Sequence, residues 1–234
     1  FPDTTWGIVD DSSVTAPNVH SIVFKEEEGS YLVGVAAALK SKSGNVGFIG
    51  GVNTPLIAKF EAGFIAGAKA VNAKIKVQST YISNFPDFSG FNDPAKGYEA
   101  AKGMYENGAD VVYAAAGGTG TGMHKAASEA GKWSIGVDAD EATYPAHADY
   151  RSTILTSMLK RVDRAVYDVI ATAVAGSSVN DVLDESGIYG RVYNLSLDGV
   201  GVSYSGGYIN KYKAQINKAA AAIKSGKIKV PTKP

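Results

Sequence analysis

The stretch that most constrains the fold runs from Ala109 to Asp140, ADVVYAAAGGTGTGMHKAASEAGKWSIGVDAD. It opens with an uninterrupted apolar run, Val111–Ala116, of the kind buried on both faces of a sheet. Gly117, Gly118, Gly120 and Gly122 break the run, a helical segment follows, and a second apolar run, Ser134–Val137, ends on Asp138. Strand, glycine turn, helix and strand form a parallel crossover unit, because parallel strands need a long connection between them. In an open parallel sheet, ligands sit beyond the carboxyl ends of the strands. The glycine turn and Asp138 lie at two such ends, which puts the working surface there.

Similar units flank this one. Trp6–Val9 reads as a short strand ending in Asp10-Asp11, an acid pair that fits either a solvated strand end or a ligand contact. Ser21–Phe24 is a second strand, and Glu26, Glu27 and Glu28 after it suit the positive end of a helix. Asn45–Gly51 is a strand running into glycines, followed by Thr54 and Pro55 as cap and first helical residue. Gly63 and Gly67, one turn apart on that helix, allow close approach to a neighbouring element. The strand Lys76–Ile82 opens into a loop holding Phe85, Phe88 and Phe91, and a helix runs from Pro94 to Asn107 with Asn92 or Asp93 as cap. The phenylalanines fit buried loop anchors or a stacking surface for a flat ligand. Ile154–Ser157 predicts another strand, with a helix starting at Leu159 and ending near Ala175. Lys160 then falls in the first helical turn, where a cation opposes the helix dipole, a placement that points to a role for its charge. Val192–Leu195 and Val200–Val202 are late strand-like runs, and a last helix spans Tyr208–Lys224.

Composition removes several function classes. Lys+Arg and Asp+Glu number 23 each, so no net field favours nucleic acid or an anionic membrane. Without cysteine there are no disulfides or thiolate metal sites. His20, His124 and His147 lie far apart in sequence and match no metal spacing, so no metal is expected. The glycine turn fails the dinucleotide fingerprint, because Met123 or Lys125 stands where the third glycine belongs. No phosphate-loop motif and no G-x-S-x-G elbow occurs, and neither an enzymatic activity nor a cofactor is expected. What remains is a set of binding groups at strand ends: Asp10, Phe91, Gly117, Gly118, Asp138 and Lys160. Carboxylates accept paired hydroxyls as ribose recognition requires, an aromatic ring stacks a base, and bare glycine N–H groups meet polar ligand atoms.

The blocks FKEEEGSYLVGVAAAL, NVGFIGG with PLIAKFEAGFIAG, FNDPAKG, GADVVYAAAGGTG, IGVDAD and LTSMLKRVD occur in that order. Together they resemble the basic membrane protein family of substrate-binding lipoproteins, similar to purine nucleoside receptors of ABC-type importers. The resemblance implies an α/β fold, the two-lobed type I periplasmic binding protein with parallel doubly wound sheets and ligand in the cleft. It also implies a first lobe incomplete at the N-terminus, since family members carry roughly a hundred further residues there, the size of a small lobe. Residues 1–22 would then be a remnant of lobe one, 23–153 lobe two, 154–200 a return to lobe one, and 201–234 a crossing segment with the C-terminal helix. Carried over by motif, Asp10 would sit at the cleft edge and Phe91 would stack the base, with Phe88 as the other candidate ring. Gly117 and Gly118 would lend backbone contacts, and Asp138 and Lys160 would bind ribose hydroxyls. The implied partners are a nucleoside, an ABC permease with its ATPase, and a membrane held through a lipid anchor outside these residues. A monomer when full length is expected, as an extracytoplasmic lipoprotein at the cell surface or in the periplasm. The competing readings are a receptor for a pentose, riboside or autoinducer-type sugar, a ligand-sensing regulator, and a nucleoside-cleaving enzyme using Asp138.

Overall fold

The computed structural model describes residues 1–176 and 189–234. Strand β5 (Val111–Ala115) shows why the central unit folds as it does. Its alternate side chains enter two different cores. Val111, Tyr113 and Ala115 pack with Leu32, Val46, Phe48 and Phe64, whereas Val112 and Ala114 pack with Ile49, Met104 and Met123. A strand apolar on both sides must be covered on both sides, which requires helices on each face of the sheet.

Those helices are α1 (Glu26–Lys40) and α2 (Pro55–Val71) on one face, with α3 (Pro94–Glu106) and α4 (Gly120–Ala130) on the other. Thr54 caps α2 by accepting from Ile57 N at 3.3 Å, and Asp93, not Asn92, caps α3 by accepting from Lys96 N at 3.0 Å. The close approach expected at Gly63 and Gly67 is made by α1. A methyl group at Gly63 would run into the Glu27 carbonyl oxygen, and one at Gly67 into that of Tyr31. Helix α1 answers with Gly34, set against the Phe64 carbonyl.

The large sheet also contains β3 (Asn45–Asn53), β4 (Lys76–Asn84), β6 (Trp133–Gly136), β7 (Ile154–Lys160) and β9 (Val200–Val202), in the order β4-β3-β5-β6-β7-β9. All neighbours are parallel except β7 and β9. A smaller parallel sheet has the order β1-β2-β8, from β1 (Trp6–Val9), β2 (Val19–Phe24) and β8 (Gly190–Tyr193), and α5 (Val162–Val174) packs against β1 and β2. The chain crosses between the sheets three times, after Phe24, after Lys160 and between Tyr193 and Val200. The closing helix α6 (Lys213–Lys224) packs on α1 and begins later than Tyr208, behind a tight turn at Asn210–Tyr212.

Two sequence expectations change here. Ile154–Lys160, placed at the start of the return to the first lobe, is a strand of the large sheet, and β9 belongs to that sheet as well. Lys160 is the last residue of β7 and not part of a helical first turn, since α5 begins at Val162. Residues 154–158 are buried on both faces, so the segment has no alternation to mark where strand gives way to helix.

Candidate functional site

Parallel strands end together, and the predicted site residues gather along one edge for that reason. Asp138 follows β6, Gly117 and Gly118 follow β5, and Lys160 ends β7, all at carboxyl ends of adjacent strands. Asp10 arrives from the small sheet, just past β1.

Asp10 and Lys160 meet directly. The Lys160 ammonium lies 2.5 Å from Asp10 Oδ1 and 3.2 Å from Glu26 Oε1. Lys59 holds the other Glu26 oxygen at 3.1 Å. Glu26 and the Lys160 side chain are buried, with Phe24 and Phe60 rings about the ammonium at 5.0 and 5.8 Å. The four charges form a chain linking the end of β1 to the start of α1 and the end of β7. Glu26 and Lys59 are the site residues that sequence reasoning missed. The run of three glutamates after a strand was the available signal, and helix-start chemistry accounted for it too readily.

Asp138 holds a left-handed backbone conformation, φ 66°, as does Asp10 at φ 65°. Short polar side chains tolerate this region better than most. Lys160 N donates to the Asp138 carbonyl at 2.8 Å, tying the ends of β6 and β7. No ion pair joins the Asp138 and Lys160 side chains among the described residues, the ammonium being engaged by Asp10 and Glu26. Protein packed around Asp138 pushes its carboxyl up to about 6; the Lys160 charge opposes this, and Asp10, Glu141 and Glu26 add to it. Water still reaches the side chain from the open edge and screens part of the effect.

The sign of the resulting pH dependence follows. A carboxyl whose folded-state pKa is raised from 3.8 to about 6 binds more protons folded than unfolded across that interval. Stability therefore falls as pH rises from about 4 to about 6, and Asp138→Asn should flatten that slope. A thermal-midpoint series over this range checks it; equal slopes for wild type and variant would contradict the assignment. Any ligand that needs the carboxylate should show the opposite trend, binding more tightly as pH rises through this range.

Phe91 closes a tight helical turn, Phe88–Phe91, in the loop after β4. Its ring rests where a side chain on Gly51 would be, and its carbonyl lies 3.0 Å from where a Cβ on Gly117 would be. Gly117 has φ +53°, which glycine adopts without strain. Thr119 staples the loop to the glycine turn, donating to Gly90 O at 2.7 Å and accepting from Asp93 N at 2.8 Å. Gly117 and Gly118 are exposed. Phe91 is half-buried, and Phe88 stacks on it at 6.4 Å between ring centroids, 56% exposed. Phe91 is therefore the fixed ring and Phe88 the open one.

A groove of about 570 Å³ runs between residues 138–140 and 159–163, lined by Asp138, Lys160 and Arg161. Its volume falls in the range of small-ligand sites. Two largely parallel sheets joined by three crossings, with charged and aromatic groups at the strand ends, are the architecture of the type I periplasmic binding fold. A solved ABC transporter solute-binding protein from Aeropyrum pernix K1 superposes with a TM-score of 0.78 at 25% identity, covering 99% of this chain and 71% of that one.

The chain belongs to the basic membrane protein family, described as ABC transporter substrate-binding protein PnrA-like, whose model matches residues 1–233. It is 40% identical to a CD4+ T-cell-stimulating antigen of Listeria monocytogenes, covering 100% of this chain and 65% of the relative. It is 36% identical to the ABC transporter nucleoside-binding protein BmpA of Lactococcus lactis, covering 99% of this chain and 66% of that protein. The chain thus spans just under two thirds of the length of these relatives.

Proposed function

We propose that this chain is the ligand-binding part of an extracytoplasmic receptor that captures a nucleoside, with a purine base, for an ABC-type importer. The observation that carries the proposal is the shared carboxyl edge. Asp138, the glycine turn and the Phe88–Phe91 ring pair stand at the ends of adjacent parallel strands or in the loops beside them. Asp138 accepts ribose hydroxyls, the ring pair stacks the base, and Gly117 and Gly118 offer backbone N–H groups. Lys160 compensates the carboxylates and holds Asp10 against the large sheet. Among the curated relatives, the Lactococcus protein is named for nucleoside binding, which supports the same ligand class. ATP hydrolysis and translocation fall to a permease and ATPase, and a lipid anchor outside these residues holds the receptor to the membrane. The described helices include none long and apolar enough to cross a bilayer.

The test is a thermal-shift panel of purine nucleosides, pyrimidine nucleosides, free bases and pentoses. Ligand at a hundred times its Kd adds about 2.7 kcal/mol of apparent stability, well above detection. Purine nucleosides should raise the midpoint most. A rise with pentoses and none with nucleosides would overturn the proposal in favour of a sugar receptor.

A further inference from the structure

Behind the Asp138 loop, the fold assembles a group that nucleoside recognition does not use. His124 on α4 and His147, in the segment before β7, converge on Glu141, and all three are buried. His124 Nε2 lies 2.8 Å from Glu141 Oε2, and His147 Nδ1 lies 3.5 Å from the same oxygen. The histidines, remote in sequence and in no metal spacing, are brought to 4.9 Å between ring centroids. We propose that His124, Glu141 and His147 form a site for a divalent transition metal, with Zn²⁺ the best match.

Three features carry this. The first is charge. Glu141 is a buried carboxylate whose ion-pair partners among the described residues are these two imidazoles, with no lysine or arginine. Imidazoles compensate a carboxylate only when protonated, whereas a bound cation compensates it in either case, and a buried anion is costly without a partner. The second is donor geometry. The three donor atoms lie within 4.8 Å of one another, and the two carboxylate–imidazole separations, 2.8 and 3.5 Å, bracket the edge of about 3.3 Å in a tetrahedron with zinc bonds of about 2.0 Å. Two imidazoles and one carboxylate suit zinc over the hard cations, which prefer oxygen alone.

The third is the surrounding shell. His124 Nδ1 lies 2.8 Å from Ser134 Oγ, and His147 Nε2 lies 3.2 Å from Thr121 Oγ1. A hydroxyl serves a ring nitrogen of either kind. Without metal, the hydroxyls donate, His124 Nε2 donates to Glu141 Oε2 at 2.8 Å, and His147 Nδ1 donates to the Glu141 backbone carbonyl at 3.3 Å. With metal, each imidazole turns its lone pair inward and donates outward, Ser134 passing its own hydrogen to Thr153 O at 3.3 Å. Where the rings start neutral, binding releases no proton and only the tautomers exchange. A metal-bound histidine usually donates its far N–H to a carboxylate, backbone carbonyl or water, and a hydroxyl oxygen can accept in the same way.

The site's role would be to hold the ligand loop. Glu141 Oε1 accepts from Val137 N at 2.7 Å, immediately before Asp138, and Glu141 N donates to Ser157 Oγ on β7 at 3.1 Å. A metal fixing Glu141 fixes the backbone from which Asp138 projects.

The experiment titrates the chelator-treated chain with ZnCl₂ and, separately, MgCl₂, reading calorimetry and imidazole ¹⁵N resonances. The chain has only 3 histidines, so His20 serves as an internal control. Zinc is expected to bind with one-to-one stoichiometry, to raise the thermal midpoint, and to shift His124 Nε2 and His147 Nδ1 while His20 stays unchanged. Glu141→Gln, checked for folding by circular dichroism, should weaken binding by more than about tenfold. Absence of zinc binding, or binding that leaves the His124 and His147 resonances in place, would overturn the proposal even if the variant failed to fold. Magnesium producing the same shifts would overturn the choice of metal class. None of these readouts depends on nucleoside binding.

Discussion

Lys160→Met is expected to cost about 3 kcal/mol of folding stability, the lower end of what removing one partner from a buried ion pair costs. The Lys160 side chain is 5% exposed, and its ammonium answers both Asp10 and Glu26. Methionine fills the space between the Phe24 and Phe60 rings without carrying charge. Glu26, fully buried, keeps only Lys59 at 3.1 Å, which is why the loss stays at the lower end. Asp10 is 30% exposed at its side chain and turns to water, so it adds little to the cost. Urea denaturation of wild type, Lys160→Met and the double variant with Glu26→Gln would measure this. The double variant should regain most of the loss, because replacing both partners removes the stranded charge. A single variant within about 0.5 kcal/mol of wild type, the range of ordinary surface changes, would show that the charge chain is not structural.

Gly67→Ala is expected to lower stability by about 1–3 kcal/mol, the range for overpacking a close contact. Helix propensity alone gives the opposite sign, since alanine in a helix interior is favoured over glycine by roughly 1 kcal/mol. The added methyl would meet the Tyr31 carbonyl, which is backbone and part of α1. To make room the two helices must separate, and Gly63 against Glu27 and Gly34 against Phe64 lose contact together. A fall in the thermal midpoint supports backbone-to-backbone packing, and a rise would contradict it.

The parts of the fold legible in the sequence were those where one residue pattern permits one structure. Val111–Ala116 followed by glycines requires a buried strand and a turn, and both are present in the structure, with Asp138 at the same sheet edge as Gly117. Thr54-Pro55 and Asp93-Pro94 marked helix starts because each pair supplies a cap and a preset backbone. The strand-end position of Lys160 is not legible in the sequence because β7 is buried on both faces and shows no strand alternation. The role of Glu26 is not legible either, because its partners Lys59 and Lys160 are remote in sequence. Three acids before an apolar helix satisfy a local rule, and nothing local reveals that two of them are buried. The His124–Glu141–His147 group was invisible for the same reason, since its members come from a helix and from the loops between β6 and β7.

The central claim is that Asp138 reads the ribose of a nucleoside, and calorimetry on wild type and Asp138→Ala tests it most directly. Each variant is titrated with a purine nucleoside and with its free base. Hydrogen bonds to a charged group contribute about 1.5–3 kcal/mol, so losing them should weaken nucleoside binding roughly ten- to a hundredfold at about 1.4 kcal/mol per decade. The free base has no hydroxyls for the carboxylate to accept from, and its affinity should be unchanged. Equal losses for nucleoside and base, or no loss for the nucleoside, would contradict ribose recognition by Asp138.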